Sequence, residues 1–166
     1  EEGLDTEFQT SSTNGDEEAV AEIIRSPYVL VGQSDAGAHL IYDAGFGYST
    51  RLLGYWVREK RIMSLEEGVR KLTFMVASIF GLQGRGLLRR GMAADLCIFD
   101  PTTIRECEPE MVQDLPGNEK RFIQKATGIE MTIVNGQVLV DKGDHTGALP
   151  GSVLGGGNGH GLQAAA

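Results

Sequence analysis

Ser34 and Asp35 follow directly on an apolar run, Tyr28-Val29-Leu30-Val31, and a small-residue turn then leads to His39. Parallel strands covered on both faces read as such continuous apolar runs, without the alternation of a half-solvated strand. A carboxylate just past the carboxyl end of that kind of strand stands where α/β folds place their chemistry. It can take a proton from one reacting atom and return it to another. A second role is open to Asp35, because Ser-Asp pairs also cap the turn that follows. His39 is near enough in sequence to orient the carboxylate or meet a substrate, or it is a polar loop histidine bonded to backbone. Ser34 has no G-x-S-x-G elbow around it and reads as a loop hydroxyl bonding backbone rather than a nucleophile.

The elements that must hold these residues can be read on either side. Asn14-Gly-Asp-Glu17 resembles a capping box, which predicts a short helix burying Ala19, Val20, Ile23 and Ile24 and ending near Ser26-Pro27. A strand at 28–33 follows, the α-to-β step of an α/β unit. The connection from Asp35 to Tyr48 is far longer than the roughly 2–6 residues usual between a strand and its helix, and long connections of this kind carry function. Tyr48 and Arg51 lie at its end. Arg51 could meet a substrate carboxylate or be a surface helix residue. A helix over about 50–61 should bury Leu52, Leu53, Trp56 and Val57. Ser64 and Glu67 form another capping box. The stripe Leu65, Val69, Leu72, Val76 and Ile79 then predicts one continuous helical face, with Gly81 as its left-handed stop.

The pattern changes after residue 84. Gly84-Arg85-Gly86 follows a helix and precedes none, so it reads as a turn and not a phosphate loop. Residues 94–100 form a strand bounded by Pro101, with Cys97 in the core, and 101–127 read as polar surface loop. Ile129–Val134 and Gln137–Asp141, joined by Asn135-Gly136, form a hairpin, since that pair suits a type I′ turn. The expected organisation is an α/β part over 1–83, a β unit over 84–151 and a mobile tail over 152–166.

Bulk properties exclude some functions. With 15 Lys and Arg against 23 Asp and Glu, the formal charge is −8, which argues against nucleic acid and anionic membrane surfaces as partners. No apolar run approaches the roughly 20 residues of a membrane span. Cys97 and Cys107 form neither a disulfide framework nor a zinc spacing, so a reduced, cytoplasmic setting is expected. His145 and His160 lack partners for a metal site. One parallel strand cannot satisfy its own ladder groups, so its neighbours are expected outside a chain that opens on Glu1-Glu2.

Several separated segments together resemble the amidohydrolase superfamily, in its branch of N-acyl-D-amino-acid deacylases (D-aminoacylases). They are Gly32-Gln-Ser-Asp-Ala-Gly-Ala-His39, Leu53-Gly-Tyr-Trp-Val-Arg-Glu59, Ser64 to Thr73 with Ala77 and Phe80-Gly-Leu82, Arg85-Gly86, Gly91 to Leu96, Phe99-Asp-Pro101, Val134-Asn-Gly136, Thr146-Gly147 and Pro150-Gly151. The resemblance implies a (β/α)₈ barrel, of which residues 1–83 hold the last strand and closing helices, followed over 84–151 by part of a small β-sandwich. It implies a divalent metal, zinc, with Asp35 as general base and acid and as a possible weak ligand, the remaining ligands being absent from this chain. The expected substrate is a small linear amide, an N-acyl amino acid. A cyclic amidohydrolase of the dihydropyrimidinase or hydantoinase kind, and a non-catalytic fragment that packs on a partner, are the alternatives. The resemblance departs at Leu40 to Tyr48. D-aminoacylases carry a His- and Pro-rich stretch with an arginine there, suited to a substrate carboxylate, and this chain has none. The departure bears on the substrate and leaves the reaction class intact.

Overall fold

The computed structural model describes residues 14–34, 36, 41 and 45–154. Helix α1 spans Glu17–Arg25. Its cap is Asp16, not the expected Asn14: the Asp16 carboxylate accepts from the Glu18 and Ala19 amides at 3.0 and 3.1 Å. Asn14 has a positive φ of 59° and so turns the chain one step earlier. Ala21 is the residue α1 buries fully, with Val20 and Ile24 packed beside it, while Ile23 is exposed. The amphipathic stripe is therefore narrower than expected. Removing the cap with Asp16→Ala should cost about 1 kcal/mol, read as a lower melting temperature; an unchanged transition would show that α1 is held by packing alone.

A single turn at Gly45–Gly47 leads into helix α2, Tyr48–Arg51, and then into a π-helix over Leu52–Glu59. The expected α-helix over 50–61 is thus wound more loosely, with Lys60 N–H donating to the Tyr55 carbonyl at 2.8 Å, five residues back. Its burial is as expected: Leu52, Leu53, Trp56 and Val57 face inward, and Leu52 and Trp56 join Ala21 in the core. Helix α3, Leu65–Leu72, is capped by Ser64, whose hydroxyl accepts from the Glu67 amide at 3.2 Å. The Glu67 carboxylate turns to Arg70 instead of closing the box. The expected single helix breaks at Thr73 (φ −122°, ψ −84°), and α4 resumes over Phe74–Ile79. The break moves the buried positions to Gly68, Lys71, Met75 and Ala77, leaving Ile79 exposed. Gly81 stops the helix at φ 67°, as expected.

Strands among the described residues begin with β1, Leu96–Phe99. Residues 28–33 carry no strand pairing there, since no neighbouring strand supplies the ladder. The stretch expected to be loop instead holds β2 (Arg105–Glu106), β3 (Glu110–Leu115), β4 (Glu119–Ile123) and β5 (Ala126–Thr127). β3 and β4 form an antiparallel hairpin turned at Pro116–Asn118, and β2 pairs with β5. The strands of that hairpin, β3 and β4, read Glu-Met-Val-Gln-Asp-Leu and Glu-Lys-Arg-Phe-Ile, and neither shows the strict alternation by which a half-buried strand is recognised.

The expected hairpin forms as β6 (Ile129–Val134) and β7 (Gln137–Asp141), with Asn135 and Gly136 both at positive φ. With β8 (Asp144–His145) it builds an antiparallel sheet in the order β1-β6-β7-β8. Arg85 anchors the 84–86 turn to this sheet through Asp95 and Asn135. Cys97, on the open face of β1, is exposed and not core.

Candidate functional site

The residues singled out for chemistry lie on the stretch between the end of α1 and the start of the π-helix. Asp35 and His39 lie outside the described residues. Ser34 does what its surroundings suggested: its hydroxyl accepts from the Ala36 amide at 3.3 Å, which marks a turn beginning at the end of the apolar run.

What fixes the near end of that run is a lysine. Lys71, on the inner face of α3, donates from Nζ to the carbonyls of Ser26 at 2.7 Å and Val29 at 3.2 Å. The side chain is 0% exposed. Burial pushes the Lys71 ammonium below its ordinary pKa, and the Glu67 carboxylate offsets part of the shift. Sequence reasoning missed Lys71 because it followed the apolar stripe. A signal was available: Gly68, three residues earlier on the same face, admits close packing, and a Cβ there would lie 2.8 Å from Val57 Cγ2.

The far end of the stretch is anchored to the strands. The Gly47 amide donates to Gln124 Oε1 at 2.7 Å, and Gln124 Nε2 donates to the Cys107 carbonyl at 3.0 Å. Arg51 pairs with Glu106 at 2.8 Å and stacks over the Tyr55 ring at 4.5 Å. Its guanidinium is therefore shared with a protein carboxylate. Tyr55 donates to Glu17, which also pairs with Lys60 at 2.6 Å.

Between α1, the 29–33 segment and α2 lies an open crevice of about 820 Å³. Val31, Leu52, Trp56 and Phe80 give it apolar walls, while Tyr48 and Arg51 contribute polar atoms. The structure thus brings Tyr48 and Arg51 together beside the segment that ends at Ser34. The arrangement suits a small molecule with an apolar body. Among the described residues, no three His, Cys, Asp or Glu side chains stand close enough to hold a metal ion. No helix among them is long and apolar enough to cross a membrane.

Comparison with known proteins gives a consistent set of likenesses. The family described as "Amidohydrolase family" matches residues 4–140. An N-acyl-D-aspartate deacylase of Alcaligenes xylosoxydans xylosoxydans is 39% identical over 110 residues, 66% of this chain and 20% of the relative. An N-acyl-D-glutamate deacylase of the same organism is 35% identical over 125 residues, 73% of this chain and 23% of the relative. Solved structures of D-aminoacylase, one of them described by its binuclear metal centre, superpose with a TM-score of 0.50 at 32% identity. They cover 63% of this chain and 20% of theirs. The chain spans about a fifth of the length of the curated relatives it matches.

Proposed function

This chain belongs to the amidohydrolase family, and from that premise we propose that the complete protein hydrolyses the linear amide of an N-acyl amino acid. The observation that carries the reading is the match to deacylases across 66% and 73% of the chain. Residues 1–83 are then the last strand and closing helices of a (β/α)₈ barrel, and 84–151 part of a small β-sandwich. Two features support this placement. The 28–33 run lacks strand neighbours among the described residues, and the later strands pair antiparallel. A barrel alone takes roughly 250 residues, which a fifth of a relative cannot supply.

Hydrolysis forms a C–O bond and breaks a C–N bond, so the attacking water must lose a proton and the departing nitrogen must gain one. Asp35 is assigned both transfers. An aspartate carboxylate can take the proton from the water and pass it to the nitrogen. Ser34, bonded to the Ala36 amide, shapes the turn that carries it, and His39 is assigned to orient it. Tyr48 and the apolar walls of the crevice hold the substrate's body.

A divalent metal, zinc in this reading, supplies a Lewis acid that acidifies water and polarises the carbonyl. The described residues do not form a site for it, and no step is assigned to it through them. Its ligands are placed in the rest of the complete protein, with Asp35 at the margin. The D-aminoacylase structure described by its binuclear centre supports a metal in this family.

The test is an assay of the complete protein on N-acyl-D-amino acids, acidic and neutral, beside cyclic ureides. Linear substrates should release free amino acid. Chelation should lower turnover by about 100-fold or more, and added zinc should restore it. Turnover confined to cyclic ureides would overturn the substrate class, and full turnover after verified metal removal would overturn the metal.

A further inference from the structure

Lys71 has a cost that packing does not explain. Burying an ammonium is expensive even when hydrogen-bonded, and a leucine or methionine would fill the same volume. Its side chain is nonetheless 0% exposed. Among the described residues its hydrogen-bond partners are two backbone carbonyls, and both belong to one corner.

Ser26 is the C-cap of α1, and Val29 is the second residue of the apolar run. The Ser26 carbonyl also accepts from the Val29 amide at 3.3 Å. Lys71 therefore closes a three-point lock on the helix-to-strand corner. Beyond it, the 29–34 segment runs on to the turn that Ser34 shapes through the Ala36 amide. Ser34 is five residues beyond Val29, each spanning at most about 3.3–3.6 Å, so a shift of the corner is passed on toward that turn.

We propose that Lys71 is a positioning residue: its ammonium clamps the Ser26 and Val29 carbonyls and so sets where the 29–34 segment delivers Asp35. The inference rests on the reading of Asp35 given above. A misplacement of about 1 Å at a reacting group can cost 10²-fold in rate.

The experiment uses the complete, metal-loaded protein with Lys71→Met, assayed well below its melting temperature. The expected result is native circular dichroism and metal content, kcat lower by about 10- to 100-fold, and KM within about threefold. A lysine that only stabilises the fold would lower the melting temperature and leave kcat of the folded molecules intact, and that result overturns the proposal. Should Lys71→Met fail to fold, Lys71→Arg decides instead. It keeps the charge, but a wider planar head cannot sit between the same two carbonyls without moving them. Reduced kcat at a retained melting temperature supports the clamp, and native kcat overturns it. Asp35→Asn is measured beside them. If that variant turns over normally, the reading of Asp35 falls and this inference with it. If it is silent while the Lys71 variants turn over normally, this inference alone falls.

Discussion

Asp35→Asn in the complete protein is expected to lower kcat by about a thousandfold while KM stays within a few-fold. The substitution keeps size and shape and removes the ability to take a proton at neutral pH, so it isolates the proton transfer from packing. A base that carries the proton from water to nitrogen acts in the transition state. Its loss should therefore appear in kcat and kcat/KM together, without a matching loss of binding. Metal content must be measured in the same preparation, because Asp35 is also assigned as a weak ligand. Equal metal content with silent turnover places Asp35 on the proton path. Turnover within threefold of the parent would return it to the capping role that Ser-Asp pairs play in turns.

What could be read from residue types alone divides along physical lines. Leu52, Leu53, Trp56 and Val57 were legible as a buried face, because an apolar cluster at these spacings faces inward in an α-helix or a π-helix alike. The winding itself was not legible, since over eight residues the two helices bury nearly the same positions. The 129–141 hairpin was legible because Asn135-Gly136 supplies the positive φ its turn requires. The β3–β4 hairpin lacks both an alternating face and such a pair. The stripe from Leu65 to Ile79 misled, because each residue fits one helix, while Thr73 leaves the helical region at φ −122°, ψ −84°. The backbone-bonding role of Ser34 was legible from position. Glu106, which takes Arg51, and Gln124, which fixes Gly47, were not. Their partners are more than fifty residues away, and no local pattern encodes a contact at that range.

Gly54→Ala is expected to destabilise the protein by about 2–3 kcal/mol, although alanine is the better helix former by about 1 kcal/mol. A Cβ on Gly54 would lie 2.4 Å from the Ile104 carbonyl oxygen and 3.2 Å from Arg105 Cα, so it meets backbone and not a movable side chain. Ile104 is 2% exposed and cannot retreat. On its other side, a Cβ at Gly128 would come within 2.5 Å of the Ile104 amide nitrogen. Arg58 meanwhile donates to the Ile104 carbonyl at 2.6 Å. Something must therefore move, and the π-helix is the freer body. Its displacement would strain the Arg51–Glu106 pair one turn earlier and shift Tyr48 at the crevice. A lower melting temperature should thus come with a raised KM, whereas Gly151→Ala, where a Cβ meets nothing within 4 Å, should change neither. If Gly54→Ala melts with the parent protein, the close seat of the π-helix on Ile104 is wrong. If it melts early with KM unchanged, that seat supports the fold without reaching the crevice.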